Sequence, residues 1–238
     1  MKKIILVIPA YNEEECVLNT YQSVVEYNKK NKTKYDVIVV NDGSKDRTSE
    51  ICHLNKIPVI DLVHNLGIGG AVQTGYKYAY KNGYDIAVQY DCDGQHDVRY
   101  VKNITEPIVE GEADLVIGSR FVEELDTFKS SRARRIGIKI TSFFIKFATK
   151  KKIYDTTSGF RACSREVMKD FSLSYPREYA EPITTAEIIK KKYNVAEVPV
   201  EMHERQGGTS SIHTWKNVYY MLNVCLALLI IKIRRYKK

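Results

Sequence analysis

Apolar and polar positions along the first half of this chain follow two rhythms. An unbroken apolar run at residues 4–8 is what a strand buried on both faces requires, and residues 35–40 read as a second buried strand. Between them, residues 12–30 place Val17, Tyr21, Val24 and Val25 at helical spacing. The alternation continues with a helix to about Leu54 that Asp46 can cap, a strand over 58–63 and a helix over 67–81 with a glycine-rich entrance. A strand over 85–90, a helix over 98–110 and a strand over 114–118 follow. Strands that alternate with helices predict right-handed βαβ units and a mainly parallel sheet, an α/β fold. The second half is less regular. Helices are expected over 131–149, 164–171, 182–192 and 212–233, with strands over 158–163 and 195–200. There is no internal repeat and no low-complexity linker.

Ligands of an open parallel sheet bind beyond the carboxyl ends of its strands, so the segments after the strands carry the candidate chemistry. They are Pro9-Ala10-Tyr11-Asn12-Glu13-Glu14, Asn41-Asp42-Gly43-Ser44, His64-Asn65-Leu66-Gly67-Ile68-Gly69-Gly70-Ala71 and Asp91-Cys92-Asp93-Gly94-Gln95-His96. All four are expected to converge on one edge of the sheet. Gly67, Gly69 and Gly70 allow close backbone approach to a ligand at a helix N-terminus, where free amides favour anions. Asp91 and Asp93 are hard oxygen donors suited to bridging Mg2+ or Mn2+ to a diphosphate. A D-x-D spacing is common by itself; its place after a buried strand, in register with three other loops, gives it meaning. The dinucleotide fingerprint G-x-G-x-x-G is absent after the first strand, and no G-x-x-x-x-G-K-[ST] occurs, which excludes dehydrogenase and P-loop readings.

Charge adds a division. The 238 residues carry 37 Lys+Arg against 29 Asp+Glu, a net of +8. Residues 1–119 hold 13 basic and 17 acidic groups, net −4, and the remainder holds 24 and 12, net +12. The front is acidic and the rear basic, which suggests two jobs. The five cysteines are scattered, with no C-x-x-C and no zinc spacing, as expected of free thiols in a reducing compartment. The apolar run at 4–8 is too short for a signal peptide and reads as the first strand.

The loops P-A-Y-N-E-E-E, V-N-D-G-S-K-D-R-T, N-L-G-I-G-G-A, Y-D-C-D-G-Q-H and D-L-V-I-G-S-R-F, in that order, resemble family 2 glycosyltransferases of the GT-A fold. The later T-T-S-G-F-R (156–161) and E-R-Q-G-G-T-S-S (204–211) resemble the branch containing dolichol-phosphate mannosyltransferase and bacterial polyprenyl-phosphate glycosyltransferases. The resemblance implies one catalytic domain over residues 1–213, with a nucleotide-binding half to 119 and an acceptor half beyond it. It also implies roles. Pro9, Ala10, Tyr11 and Glu13 would line a nucleotide pocket, with Gly67 and Gly70 beside them. Asp42 would accept an N–H of the base, Asp91 and Asp93 would hold metal and diphosphate, and Gln95 would lie near metal and sugar. Arg120, Arg161 and Arg205 would meet phosphates, and Ser210 would help bind substrate. The Q-x-x-R-W of processive relatives is missing, so transfer of a single sugar is expected, with inversion at the anomeric carbon.

The rear supplies an acceptor reading. No acidic residue lies between Asp126 and Asp155, a window that holds nine Lys and Arg. Ile136, Ile140, Phe143, Phe144 and Phe147 form one helical stripe edged by Arg132, Arg135, Lys139, Lys146 and Lys150. Residues 218–231 are apolar except for Asn223 and are followed by a basic end; these 14 residues are short of a membrane span. Both segments are read as interfacial helices on an anionic membrane surface at its cytoplasmic face, or else as ordinary core helices. Aromatics set in an apolar stripe argue against a nucleic-acid footprint. A polyprenyl phosphate acceptor is already ionised and needs only cations to position it, for which Arg120 and Arg132, Arg134 or Arg135 serve. A hydroxyl acceptor would need a base, Asp155 or Glu181. A third reading is a nucleotide-sugar-binding protein without activity. A small membrane-protein partner for the terminal helix is also left open. His96, beside the D-x-D, is read as able to touch the sugar.

Overall fold

Strand β1 (Ile4–Ala10) shows why the sheet is central: Ile5 and Val7 enter one apolar cluster, Leu6 and Ile8 the other, and all four are buried. Consecutive side chains of a strand point to opposite faces, so a continuous apolar run needs a layer of helices on each side. The computed structural model describes residues 2–122, 132–202 and 214–236, with backbone alone for 132–134 and 214–220.

After β1 come α1 (Val17–Asn31), β2 (Tyr35–Asn41), α2 (Thr48–Leu54), β3 (Val59–Asp61), α3 (Ile68–Lys81), β4 (Ile86–Gln89), α4 (Val101–Val109) and β5 (Leu115–Ser119). The rear adds α5 (Arg132–Thr149), β6 (Arg161–Ser164), α6 (Arg165–Leu173), α7 (Ala180–Lys190), β7 (Val195–Pro199) and α8 (Thr214–Ile233). The seven strands lie in the order β3-β2-β1-β4-β6-β5-β7. All neighbours are parallel except β6, which runs against both β4 and β5. The chain winds outward from β1 through β2 to β3, then returns to place β4 on the other side of β1. That reversal opens a crevice beyond the carboxyl ends of β1 and β4, where an α/β sheet binds its ligand.

Three expectations are adjusted. Helix α1 begins at Val17, not near residue 12: Asn12 is left-handed (φ 57°), and the amides of 12, 13 and 14 go to side chains of the β2–α2 loop. β3 is only three residues long. The rear strand β6 starts at Arg161 and is antiparallel.

Helices α5 and α8 pack on each other and on α7. Ile138, Thr141, Ile145 and Ala148 of α5 face inward, as do Val224, Leu228 and Ile231 of α8. The terminal helix thus shares the main core rather than hanging from it as an appendage; the expected boundary at 213 lies outside the described residues. Four of the five residues of the apolar stripe read from the sequence point the other way, while Phe144 packs half-buried against the core. Ile136, Ile140, Phe143 (64% exposed) and Phe147 of α5 face solvent, and so do Leu222, Leu226, Leu229, Ile230 and Ile233 of α8. Among the described residues no helix is long and apolar enough to cross a membrane.

Candidate active site

The first loops are laced together by side chains that satisfy backbone amides. Asn12 N–H donates to Ser44 Oγ (2.9 Å), and Lys45 N–H returns to Asn12 Oδ1 (2.8 Å). Glu13 N–H donates to Thr48 Oγ1, Glu14 N–H to Asp46 Oδ2, and Arg47 N–H to Glu14 Oε2. Asp46 also accepts the Thr48 amide, as a residue that starts α2 should. Pro9 and Ala10 end β1 as buried residues, and Tyr11 stands 42% exposed at the rim of the crevice. The backbone carbonyl of Glu13 starts the turn that leads into α1.

The second and third loops are also joined, and here the structure corrects the anion-site expectation. Asp42 is 2% exposed and its Oδ1 takes the Leu66 amide at 2.7 Å. Burial pushes its pKa up, against the pull of the Leu66 and Gly67 amides. Asp42 therefore clamps loop to loop. Gly67 is left-handed (φ 80°) and its amide goes to Asn65 Oδ1, while the Gly69 amide goes to the Arg177 carbonyl. A Cβ on Gly69 would lie 2.0 Å from the Pro176 carbonyl oxygen, and one on Gly70 2.4 Å from Leu66 Cβ. At Gly67 and Gly69 the close approach and the amides are used by other parts of this chain.

Asp91 and Asp93 follow β4 at the crevice. The Asp91 side chain is partly open, whereas Asp93 is buried and its Oδ1 holds the Gln95 amide at 3.0 Å. His96 lies behind them. Its Nδ1 accepts the Asp91 backbone N–H at 2.9 Å, which leaves the proton on Nε2, 3.6 Å from Asp91 Oδ2. Burial holds its pKa down, and its ring stacks on Phe160 at 4.7 Å. His96 is thus a buried support for the Asp91 loop and not a sugar contact. Two oxygen-donor carboxylates at one strand end suit a hard divalent ion that completes its shell with diphosphate oxygens; among the described residues no larger His/Cys/Asp/Glu cluster forms.

The arginines are placed differently from expectation. Arg120 forms a two-pronged pair with fully buried Asp155: Nε to Oδ2 at 2.7 Å and Nη2 to Oδ1 at 2.8 Å, with a further bond to Thr157. A carboxylate so engaged is no general base, which removes Asp155 from that role. Arg161 is 0% exposed; its guanidinium holds the Ser158 carbonyl and Thr184 Oγ1 (3.1 Å each). Enclosed in this way, it braces the α7 start and does not reach a phosphate. Arg135 is exposed on α5. The side chain of Arg132, together with Arg205 and Ser210, lies outside the described residues.

Two neighbours of Asp91 escaped the sequence reading. A Cβ on Gly159 would lie 3.0 Å from Asp91 Oδ2 and 2.9 Å from Gln89 Nε2, so the T-T-S-G turn presses on the carboxylate. Gln89 is a polar side chain on an otherwise apolar strand, and that exception to the pattern was the available signal.

A mainly parallel sheet with two carboxylates at its switch point fits the nucleotide-diphospho-sugar transferase class. The description "Glycosyl transferase family 2" matches residues 5–171. A UDP-N-acetylglucosamine–dolichyl-phosphate N-acetylglucosaminyltransferase of Methanococcus voltae is 32% identical, covering 93% of this chain and 95% of the relative. The polyprenol monophosphomannose synthase of Mycolicibacterium smegmatis is 29% identical over 89% and 81%. Among solved structures, glucosyl-3-phosphoglycerate synthase of Mycobacterium tuberculosis with Mn2+, UDP and phosphoglyceric acid superposes with a TM-score of 0.73 at 19% identity, covering 99% and 80%. The chain belongs to glycosyl transferase family 2 and is a glycosyltransferase of GT-A fold.

Proposed function

We propose that the enzyme transfers one sugar from a nucleotide diphosphate sugar, a UDP-sugar in preference to GDP-mannose, to a polyprenyl phosphate. The observation that carries the acceptor is the outward apolar stripe of α5 and α8, flanked by exposed Arg135, Lys139, Lys146, Lys150, Lys232 and Arg234. An apolar face with cationic edges suits an anionic lipid surface, where the acceptor resides. The M. voltae relative, by its name, acts on a dolichyl phosphate with a UDP-sugar. The protein would work as a peripheral protein on the cytoplasmic face of the membrane.

Tyr11, exposed at the open end of β1, would line the nucleotide pocket. Asp91 and Asp93 would hold Mg2+ or Mn2+, and the ion would neutralise the charge that builds on the leaving diphosphate. A phosphate oxygen of the acceptor attacks the anomeric carbon. The bond from that carbon to the diphosphate breaks, and the nucleoside diphosphate departs with its electrons. No proton need be removed from an ionised acceptor, which agrees with Asp155 being tied to Arg120. The test is release of UDP from candidate UDP-sugars with Mn2+, with and without polyprenyl phosphate in anionic vesicles. Release stimulated by the lipid is expected; equal release with a soluble sugar acceptor, and no flotation with the vesicles, overturns the acceptor assignment.

A further inference from the structure

Four buried side-chain polar atoms lack a hydrogen-bond partner among the described residues: Gln89 Oε1, Ser158 Oγ, Tyr76 OH and Tyr175 OH. They share a neighbourhood. Gln89 faces Arg161 across the β4–β6 pair, and Ser158 holds Arg161 through its carbonyl. Tyr76 and Tyr175 pack edge to face at 5.7 Å and feel both Arg161 and Glu181. An unsatisfied polar group in a core is costly, so four around one arginine mark a region shaped by something other than stability.

Gln89 is the link from that region to the crevice. It is 1% exposed, and its Nε2 approaches Asp91 Oδ1 at 3.5 Å. Beyond it stands Glu181, in the first turn of α7, whose pKa burial raises against the pull of Arg161 and of the Gln89 side chain. Glu181 in turn sits in the field of Arg161, which is fixed by Ser158 and Thr184. The Gln89 side chain thus lies between two carboxylates, a deep one in the field of a buried cation and an outer one at the crevice. On its other side Asp91 is bounded by Gly159 and by His96 Nε2.

We propose that Gln89, anchored from behind by Glu181, is the positioning residue that aims the Asp91 carboxylate toward the diphosphate side of the crevice. Groups behind a metal-binding carboxylate fix its orientation, and losing one lowers metal affinity about tenfold or more. The role assigns Glu181 an acceptor's part in the core, distinct from that of a base for a sugar hydroxyl. The inference rests on Asp91 holding a divalent ion, as proposed above.

The experiment is Mn2+ titration of the purified full chain in the presence of UDP, followed by the electron paramagnetic resonance of free Mn2+. Melting temperatures and the KM for Mn2+ against kcat are measured in parallel. Gln89→Leu is expected to weaken Mn2+ binding about tenfold and to raise its KM by a similar factor. Its melting curve should still show a cooperative fold, since the change removes a buried unsatisfied oxygen along with the donor to Asp91. Glu181→Gln retains an acceptor and should bind Mn2+ within about twofold of the parent, whereas Glu181→Leu should follow Gln89→Leu. Unchanged Mn2+ affinity in folded Gln89→Leu overturns the positioning role and leaves the metal reading standing. A parent that binds no Mn2+ overturns both. Loss of kcat in Glu181→Gln with intact Mn2+ affinity places Glu181 in the chemistry instead and also overturns it.

Discussion

The loops at the front of the sheet and the helices at its rear treat their conspicuous side chains in opposite ways. In front, polar residues turn inward and join one another: Asp42 to the Leu66 amide, Asp46 to Thr48 and Glu14, His96 to Asp91. At the rear, apolar residues turn outward, with Phe143 and Phe147 on α5 and Leu226 and Ile230 on α8 exposed. Enclosed polar loops make a rigid cradle, since each buried amide with a partner resists opening. Exposed apolar stripes make an adhesive face. On the proposed function, the acidic front would serve metal and nucleotide, and the basic rear the surface that carries the acceptor.

The comparison is broken most severely at Asp93. In Asp93→Asn the amide oxygen still accepts the Gln95 N–H, so the loop keeps its shape, but a charge that would oppose a cation is gone. Sugar transfer should fall about a thousandfold or more, roughly 4 kcal/mol of transition-state stabilisation, with an unchanged melting curve. Full activity in that variant would end the assignment of this pair to the metal.

The next largest effect belongs to the joint between the two regions. Arg120 follows β5, and Asp155 lies in the turn that leads from α5 back to β6. Asp155→Ala takes the carboxylate from a buried guanidinium and should cost about 3–5 kcal/mol in urea unfolding, while Arg120→Ala with Asp155→Ala should recover part of that loss. At the rear itself, Phe143→Glu with Phe147→Glu changes exposed positions only. Stability should move by no more than about 0.5 kcal/mol, yet flotation with anionic vesicles should be lost. Retained flotation would assign the stripe to another purpose.

Much of the front was legible because two-sided burial writes itself as apolar runs, and because the segments after β1, β2 and β4 hold the polar residues. Periodicity alone could not say which side of α5 faces the core. Ile136, Ile140, Phe143 and Phe147 make one stripe, and Ile138, Thr141, Ile145 and Ala148 make another; only packing on α7 and α8 decides between them. Long-range pairing was equally hidden. Arg120 and Arg161 read as phosphate ligands, yet one meets Asp155 and the other Thr184, at sequence distances no local rule covers. The glycines of the α3 entrance signalled close approach correctly but not the partner, which is the Pro176–Arg177 backbone.

The smallest predicted effect again sets front against rear, through two carboxyls whose pKa values move in opposite directions. At Asp46, burial raises the pKa, but hydrogen bonds from Thr48 and Glu14 outweigh it, and the group ends below its ordinary value. At Glu197, burial dominates the amides of Tyr154 and Asp155, and the pKa lies above its ordinary 4.5. A lowered carboxyl contributes stability that is present above its ordinary value and is lost as pH falls through the folded value. A raised one binds its proton more tightly when folded, so its contribution is full below the ordinary value and is lost as pH rises from 4.5 through the folded value. Glu197→Gln should therefore remove a fall in melting temperature that begins near pH 4.5 and continues upward. The stability involved is at most about 1.4 kcal/mol for every tenfold difference in proton affinity between the folded and unfolded chain. Asp46→Asn should act with the opposite sign, flattening the loss on the acid side. If Glu197→Gln leaves the upward limb of the melting profile unchanged, the rear carboxyl is as well solvated as any at the surface, and the contrast between the two regions does not extend to their acids.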